Sequence, residues 1–213
     1  MQIITISREF GSGGRELGKR LADILSYDYY DKEIIEKIAE NKGMDKDYTA
    51  FILENPAWRT VPLHFRRSFS GMTALQAEQK LQTSLLLEQK RVIEAIVEVG
   101  RDCVIVGRNA DVLLKAYHPL RLFVCAEMSE KIRRCMERAE SGENLTHREI
   151  ERKIRSIDKN RQQTREMISG SRRGECSAYH LIINTTEWEI KELAPAVAEF
   201  AKHWFGRGNP CEK

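Results

Sequence analysis

Apolar positions along the chain follow two rhythms. Met1 to Ser7 (MQIITIS) is a short β-rich run that stops at a glycine segment, Gly11-Ser12-Gly13-Gly14. From Arg15 onward, Leu17, Leu21, Ile24 and Leu25 recur three and four residues apart, which puts them on one face of a helix. The opening unit therefore reads strand, glycine loop, helix. Cys103 to Val106 (CVIV) and Leu120 to Cys125 (LRLFVC) are further short apolar runs, each followed by a helical pattern, and Tyr179 to Asn184 (YHLIIN) is another. Strands separated by helices predict βαβ units and a parallel sheet covered on both faces, with ligands beyond the carboxyl ends of the strands.

Between about Asp31 and Gly100 the pattern is helical but broken. Pro56 and Pro62 flank an aromatic and basic patch, Trp58, Arg59, His64, Phe65, Arg66 and Arg67, which reads as an insertion into the core. Its second half is one long helix in which Leu81, Leu85, Val92 and Ile96 keep the period up to Val99-Gly100, where glycine can cap it. A length of 213 residues suits one core domain. Composition, 41% apolar and 31% charged, is that of a folding globular chain. No run is long enough to cross a bilayer and the first residues carry no export signal, so a cytoplasmic location is expected. Cysteines 103, 125, 135, 176 and 211 form no CxxC pair, and an odd, scattered set suits reduced thiols better than disulfides or a metal site. The net charge of +3 is too small to demand nucleic acid. Basic residues nevertheless concentrate between Arg133 and Arg173, where they could meet phosphates.

A glycine run between strand and helix lets backbone N–H groups turn inward, and the helix N-terminus adds positive potential, so an anion is favoured there. The phosphate-binding candidates are Gly11, Ser12, Gly13, Gly14, Arg15 and Glu16. Set against GxxxxGK[ST], the stretch Arg8 to Arg15 keeps the second glycine at Gly13 but has Gly14 at the lysine and Arg15 at the hydroxyl residue. Arg15 is the nearest available cation, and the usual hydroxyl ligand for Mg²⁺ is missing there. A plain turn is the alternative reading of GSGG.

With ISREFGSGGRELG, YYDKEII, VGRNAD, an arginine-rich segment and LIINTT in this order, the chain resembles the cytidylate kinase-like branch of the P-loop nucleoside monophosphate kinases. The resemblance is weakest from about 45 to 87. It implies a single three-layer α/β P-loop domain over 1–213, with a core of about 1–30, 101–140 and 177–213. A helical acceptor-binding insertion would span about 31–100 and a helical lid about 141–176. The family presents an arginine to the acceptor phosphate from a Gly-Arg-Asp tripeptide, and Gly107-Arg108-Asn109 stands in that place. Arg108 and Asn109 are thereby acceptor-site candidates, although Arg108 also reads as a surface residue at a helix start. Val106 replaces the acid that the family has before this glycine, which removes any metal or water contact made through it. Asp31 corresponds to an aspartate near the acceptor, and equally to a helix N-cap.

Between Thr146 and Ile168, Ile150, Ile154 and Ile157 share a helical face, with Arg148, Arg152, Arg155 and Lys159 opposite and solvated. Arg161 falls within the isoleucine face and Arg165 beside it, so both require an anionic partner if that face is buried. The resembling kinases carry Asp-x-x-Arg in a mobile lid, matched by Asp158-Lys159-Asn160-Arg161, which makes Asp158 an acceptor-site candidate. An ordinary ion pair on the helix explains Asp158 as well. Arg133, Arg134 and Arg138 lie where the family often has basic residues near ATP, or on a solvated face. Thr185 or Thr186 reads as a cap of the last helix.

These readings imply ATP and Mg²⁺, a small phosphorylated acceptor, CMP or dCMP as the first choice, and no membrane partner. Arg15, Arg161 and Arg165 are the catalytic candidates. Two alternatives keep the fold: a P-loop kinase for a different small acceptor, or a nucleotide-binding regulator that has lost transfer. Nucleic-acid binding is disfavoured because Glu137, Glu140, Glu143, Glu149 and Glu151 interrupt the basic track. The residues holding Mg²⁺ and the oligomeric state do not follow from the sequence.

Overall fold

A computed structural model of the protein describes residues 1–55, 69–138 and 145–207, with the side chains of 69–72 left aside. The two-residue period of β1 (Ile3–Arg8) sends Ile4 and Ile6 into one apolar cluster and Ile3 into another on the opposite face. β3 (Cys103–Val106) repeats this, with Val104 and Val106 on the first side and Cys103 and Ile105 on the second. Both faces are therefore covered, as parallel strands require.

The sheet has the order β2-β3-β1-β4-β5 and every pairing is parallel. β1 and β3 pair Ile6 with Val106, while β4 (Leu120–Cys125) sets Val124 opposite Arg8. β5 (Leu181–Asn184) starts two residues later than the apolar run suggested. β2 (Asp28–Tyr30) was not visible in the sequence. Three half-buried residues are too few to show alternation, and only the pairing of Asp28 with Cys103, far along the chain, makes them a strand. The chain leaves β1 toward β2 on one side and later returns to β4 on the other, so the carboxyl end of β1 is the switch point where α/β sheets bind ligands.

α1 (Gly14–Leu25) packs Leu17 and Leu21 on the first cluster beside the last long helix, numbered α8 in chain order (Ile190–Gly206). Gly18 of α1 meets the sheet closely: a Cβ there would lie 2.5 Å from Val106 Cγ2 and 3.2 Å from Ile6 Cδ1. Val106, where the resembling kinases have an acid, is thus a fully buried packing residue of this contact.

On the opposite face α2 (Glu33–Lys42), α3 (Lys46–Glu54) and the long α4 (Phe69–Glu98) form the second cluster around Ile38, Ile52, Leu85 and Ile93. Asp45 caps α3 by accepting the Tyr48 N–H at 2.9 Å. The patch from Trp58 to Arg67 lies outside the described residues, as do Glu140, Glu143 and Cys211. The short α5 (Ala110–Leu113) follows β3, and α6 (Met128–Glu137) follows β4. α7 (His147–Ser169) opens with a capping box in which Thr146 Oγ1 accepts from the Glu149 N–H. Ile150 and Ile154 are buried while Arg148, Arg152, Arg155 and Lys159 are exposed, the partition that the helical period predicts.

The four described cysteines are free. Burial, with Asp28 nearby, pushes the Cys103 thiol up to about 12. No described helix is long and apolar enough to cross a membrane. Gly18→Ala is expected to overpack the contact between α1 and the sheet, costing about 1–3 kcal/mol. Urea unfolding should show a lower midpoint at unchanged slope.

Candidate active site

The glycine segment turns sharply after β1 and is propped from both sides. Gly13 has φ +79°, and a Cβ there would fall 2.5 Å from Ile190 Cδ1, so both conformation and space exclude a side chain. Ser12 is buried and donates its hydroxyl to Glu9 O at 2.9 Å. Thr185 is buried too, donating to Ser12 O at 2.7 Å while accepting from Arg134 Nη1 at 2.8 Å. Arg134 also donates to Thr185 O and Trp188 O, at 2.8 and 2.9 Å.

Two readings of the sequence are corrected here. Thr185 does not cap α8, which starts after Glu189; it holds the glycine loop. Thr186 accepts from the Glu127 N–H instead. Arg134 is a buried brace, although Arg133 and Arg138 are exposed as a solvated face requires. The side chain of Glu16, a phosphate-loop candidate, is turned toward Arg20 and Arg138, at 3.0 and 2.6 Å, so only its backbone could serve an anion.

Beyond the loop, guanidinium groups from five segments converge. Arg8 ends β1 and reaches Asp31 Oδ1 at 3.2 Å, and Arg15 Nε meets Asp31 Oδ2 at 2.5 Å. Asp31 is only 2% exposed, and Lys32, not Asp31, occupies the N-cap of α2. The N-cap reading of Asp31 is therefore wrong, while its place beside the loop stands as geometry. Gly107, Arg108 and Asn109 all have positive φ, 76°, 55° and 54°. For Arg108 this costs on the order of 1–2 kcal/mol, while asparagine adopts the left-handed region more readily. The turn is held because Gly107 N–H donates to Ile6 O at 2.8 Å and Gln89 Nε2 donates to Arg108 O at 2.9 Å. It aims Arg108 inward, where Nη2 meets Glu54 Oε1 at 3.2 Å and buried Nε finds no partner among the described residues.

α7 supplies the other side. Asp158 Oδ1 accepts the Phe10 N–H at 2.8 Å and Arg173 Nη2 at 3.2 Å, and its Oδ2 lies 3.7 Å from Lys131 Nζ. Arg161 Nη1 donates to Arg8 O at 3.2 Å with its guanidinium over the Phe10 ring. Arg173 also donates to Arg8 O. Burial, then the neighbouring Arg173 charge, pulls the Arg161 pKa down to about 10. Burial and the Arg161 charge lower that of Arg8 well below the usual arginine range. Both shifts have the same physical cause, burial of a cation beside other cations. Arg165, a catalytic candidate from the sequence, is instead 3% exposed and bonded to Asp111 Oδ2 at 2.6 Å. Asp111 in turn accepts from Ser7 Oγ at 3.2 Å. The anionic partner that the helical phase required for Arg165 is this internal carboxylate.

Two cavities flank the convergence. A cleft of about 290 Å³ opens along the loop, between Gly11, Gly13 and Arg15 on one side and Arg138, Ile150 and Lys153 on the other. A tighter space of about 60 Å³ lies among Glu54, Arg108, Asn109, Arg161 and Arg173. Arg8 lines both. Sequence reasoning missed Arg8, Glu54, Lys131 and Arg173. Lys131 and Arg134 form a buried but charged face of α6, which a search for apolar periodicity passes over. Arg8 had a signal: an arginine at the first glycine of the motif, paired with a glycine at its lysine.

The sequence profile of the cytidylate kinase-like family matches residues 3–187. The chain belongs to the cytidylate kinase-like family. No curated protein matches it. Among solved structures, an uncharacterized protein from Eubacterium ventriosum is 22% identical, with TM-score 0.69 over 95% of this chain and 98% of that one. The shikimate kinases of Acinetobacter baumannii and Bacteroides thetaiotaomicron are each 14% identical, with TM-scores 0.51 and 0.52. The alignments cover 94% of this chain in both cases, and 92% and 98% of theirs. These likenesses show the fold, that of P-loop kinases, and the family makes the chain a small-molecule kinase by descent.

Kinase-like families generally use ATP with Mg²⁺. The residues around this family member's loop do not fit a protein-held metal. Arg15 stands at the hydroxyl position, Asp31 is held by Arg8 and Arg15, and Glu9 is held by Lys131 at 2.9 Å. Among the described residues no three His, Cys, Asp or Glu side chains cluster. Asp111→Asn should leave Arg165 buried without its counter-charge and destabilise the fold by about 3–5 kcal/mol. Replacing both Asp111 and Arg165 by apolar residues should recover much of that loss, and chemical denaturation of the three proteins reads the difference.

Proposed function

We propose that this chain transfers the γ-phosphoryl group of ATP to a nucleoside monophosphate, with CMP or dCMP as the acceptor. The observation that carries the reading is the inward-held Arg108, whose buried Nε has no partner among the described residues, facing Arg8, Arg161 and Arg173 across a phosphate-sized space. Buried guanidinium donors without partners are costly, and a phosphate supplies the matching oxygens.

In this scheme the triphosphate lies along the glycine loop, in the larger cleft. The acceptor phosphate lies against Arg108 and Asn109. An acceptor phosphate oxygen attacks the γ-phosphorus, the bond from that phosphorus to the β–γ bridging oxygen breaks, and its electron pair leaves with ADP. The attacking oxygen is already anionic, so no general base is needed. Arg161 bears on the transferring group. Asp158 and Arg173 fasten α7, the proposed lid, over Phe10, and Arg165 positions the helix through Asp111. Closing the site excludes water as a competing acceptor. Mg²⁺ would enter with ATP, and no step is assigned to it.

A second reading, transfer to a smaller acceptor, is favoured by the modest 60 Å³ of the Arg108 space. A shikimate kinase shares the fold. Incubation with Mg-ATP and each of the nucleoside monophosphates, with small hydroxy acids in parallel, decides between them by chromatography of ADP and the phosphorylated product. CDP or dCDP formation is expected, reduced about 100-fold or more by Arg108→Ala and by Arg161→Ala. Product from a hydroxy acid alone would select the second reading.

A further inference from the structure

The loop lacks the lysine that, in the usual motif, reaches the β- and γ-phosphates, and the structure shows what fills its place. Gly14 stands at the lysine position. A Cβ on Gly14 would lie 2.6 Å from Arg8 Cβ, 3.1 Å from Arg8 Cγ and 3.2 Å from Val124 Cβ. No positive φ demands glycine at this residue. Glycine is required because the aliphatic stem of Arg8 runs where a side chain from position 14 would start.

The other end of Arg8 is cleared in the same way. A Cβ on Gly107 would coincide with Arg8 Nη1, at 1.5 Å. Two glycines thus open a channel that carries the guanidinium from the end of β1 to the boundary between the loop cleft and the Arg108 space. Arg8 borders both cavities. Its side chain is 10% exposed and Asp31, shared with Arg15, is its carboxylate partner.

We propose that Arg8 is the phosphate-binding cation of this loop, supplied from the motif's first position in exchange for the lysine of its seventh. The inference rests on the transfer reading for its role at the γ-phosphoryl, and on geometry alone for its contact with a polyphosphate. Arg8 stays protonated throughout. It donates to the β- and γ-phosphate oxygens as negative charge moves onto the bridging oxygen, a task that calls for donors fixed in advance. A guanidinium anchored at the opposite end of the loop meets that requirement with a different reach from lysine, which links the changes at the motif's first and seventh positions.

The test compares wild type with Arg8→Ala, Arg8→Lys, Arg8→Gly and the exchange variant Arg8→Gly/Gly14→Lys. Binding of ATP, ADP and AMP is measured by calorimetry, transfer by kcat and KM, and folding by the urea midpoint. Arg8→Ala should weaken ATP about tenfold or more while AMP changes less than threefold, and should lower kcat by about 10²–10³-fold. The exchange variant should regain at least tenfold in kcat over Arg8→Gly. If Arg8→Ala fails to fold, Arg8→Lys must show the same selective loss for ATP over AMP. Equal loss for all three nucleotides, unchanged ATP affinity, or an exchange variant no better than Arg8→Gly overturns the assignment. If wild type phosphorylates no acceptor but Arg8 still sets the preference for ATP over AMP, the transfer reading fails and the phosphate site stands.

Discussion

The structure depends on an excess of guanidinium charge gathered at the carboxyl end of β1. Arg8, Arg15, Arg108, Arg161 and Arg173 share three carboxylates, Asp31, Glu54 and Asp158. Adding Lys131 with its partner Glu9 leaves the same excess of two positive charges. Arg15 is exposed, but Arg8, Arg108 and Arg173 are largely withheld from water, where cations held among one another are unfavourable unless an anion completes the set. Burial first, then neighbouring arginine charge, lowers the pKa values of Arg8 and Arg161. The fold carries the arrangement on apolar layers built on Ile4, Val104 and Leu122 on one face and on Ile38, Leu85 and Ile93 on the other.

What keeps the guanidinium groups in place is mostly backbone and buried hydrogen bonding. Three consecutive positive φ angles aim Arg108. The pair of Arg165 with Asp111 ties α7 to α5, and Asp158 ties α7 to the Phe10 amide. Arg134 and Thr185 secure the loop from beneath. In the proposed scheme the side chains that would meet the phosphates and those that hold them are therefore distinct. Arg165 moved from the first group to the second once its partner was seen.

The opening strand, loop and helix, the long α4 and the amphipathic α7 were legible because their signals are local: β-rich runs, glycine runs and the 3.6-residue period. Ile150 and Ile154 landed inside, and Arg148 and Arg152 outside, for that reason. β2 escaped because its pairing with Cys103–Ile105 is long-range. Lys131 escaped, and Arg134 was read as a solvated or ATP-side residue, because a buried charged face has no hydropathic signature and their partners Asp158 and Thr185 lie far along the chain. Arg173 follows the helix, where no period applies, and meets Asp158. Arg108 and Asp31 were legible through family resemblance, not through pattern. Arg8 sat in plain view, yet only the space around Gly14 gave its position a meaning.

The central claim is that the arginine cluster is an incomplete charge set awaiting a phosphate. Thermal unfolding in pyrophosphate, against sodium chloride at matched ionic strength, tests it most directly, for wild type and for an Arg108→Ala/Arg161→Ala variant. At about 100 times its dissociation constant, pyrophosphate should raise the wild-type Tm by about 5–10 °C, and that of the variant by much less. No rise beyond that in chloride, or an equal rise in the variant, would contradict the account.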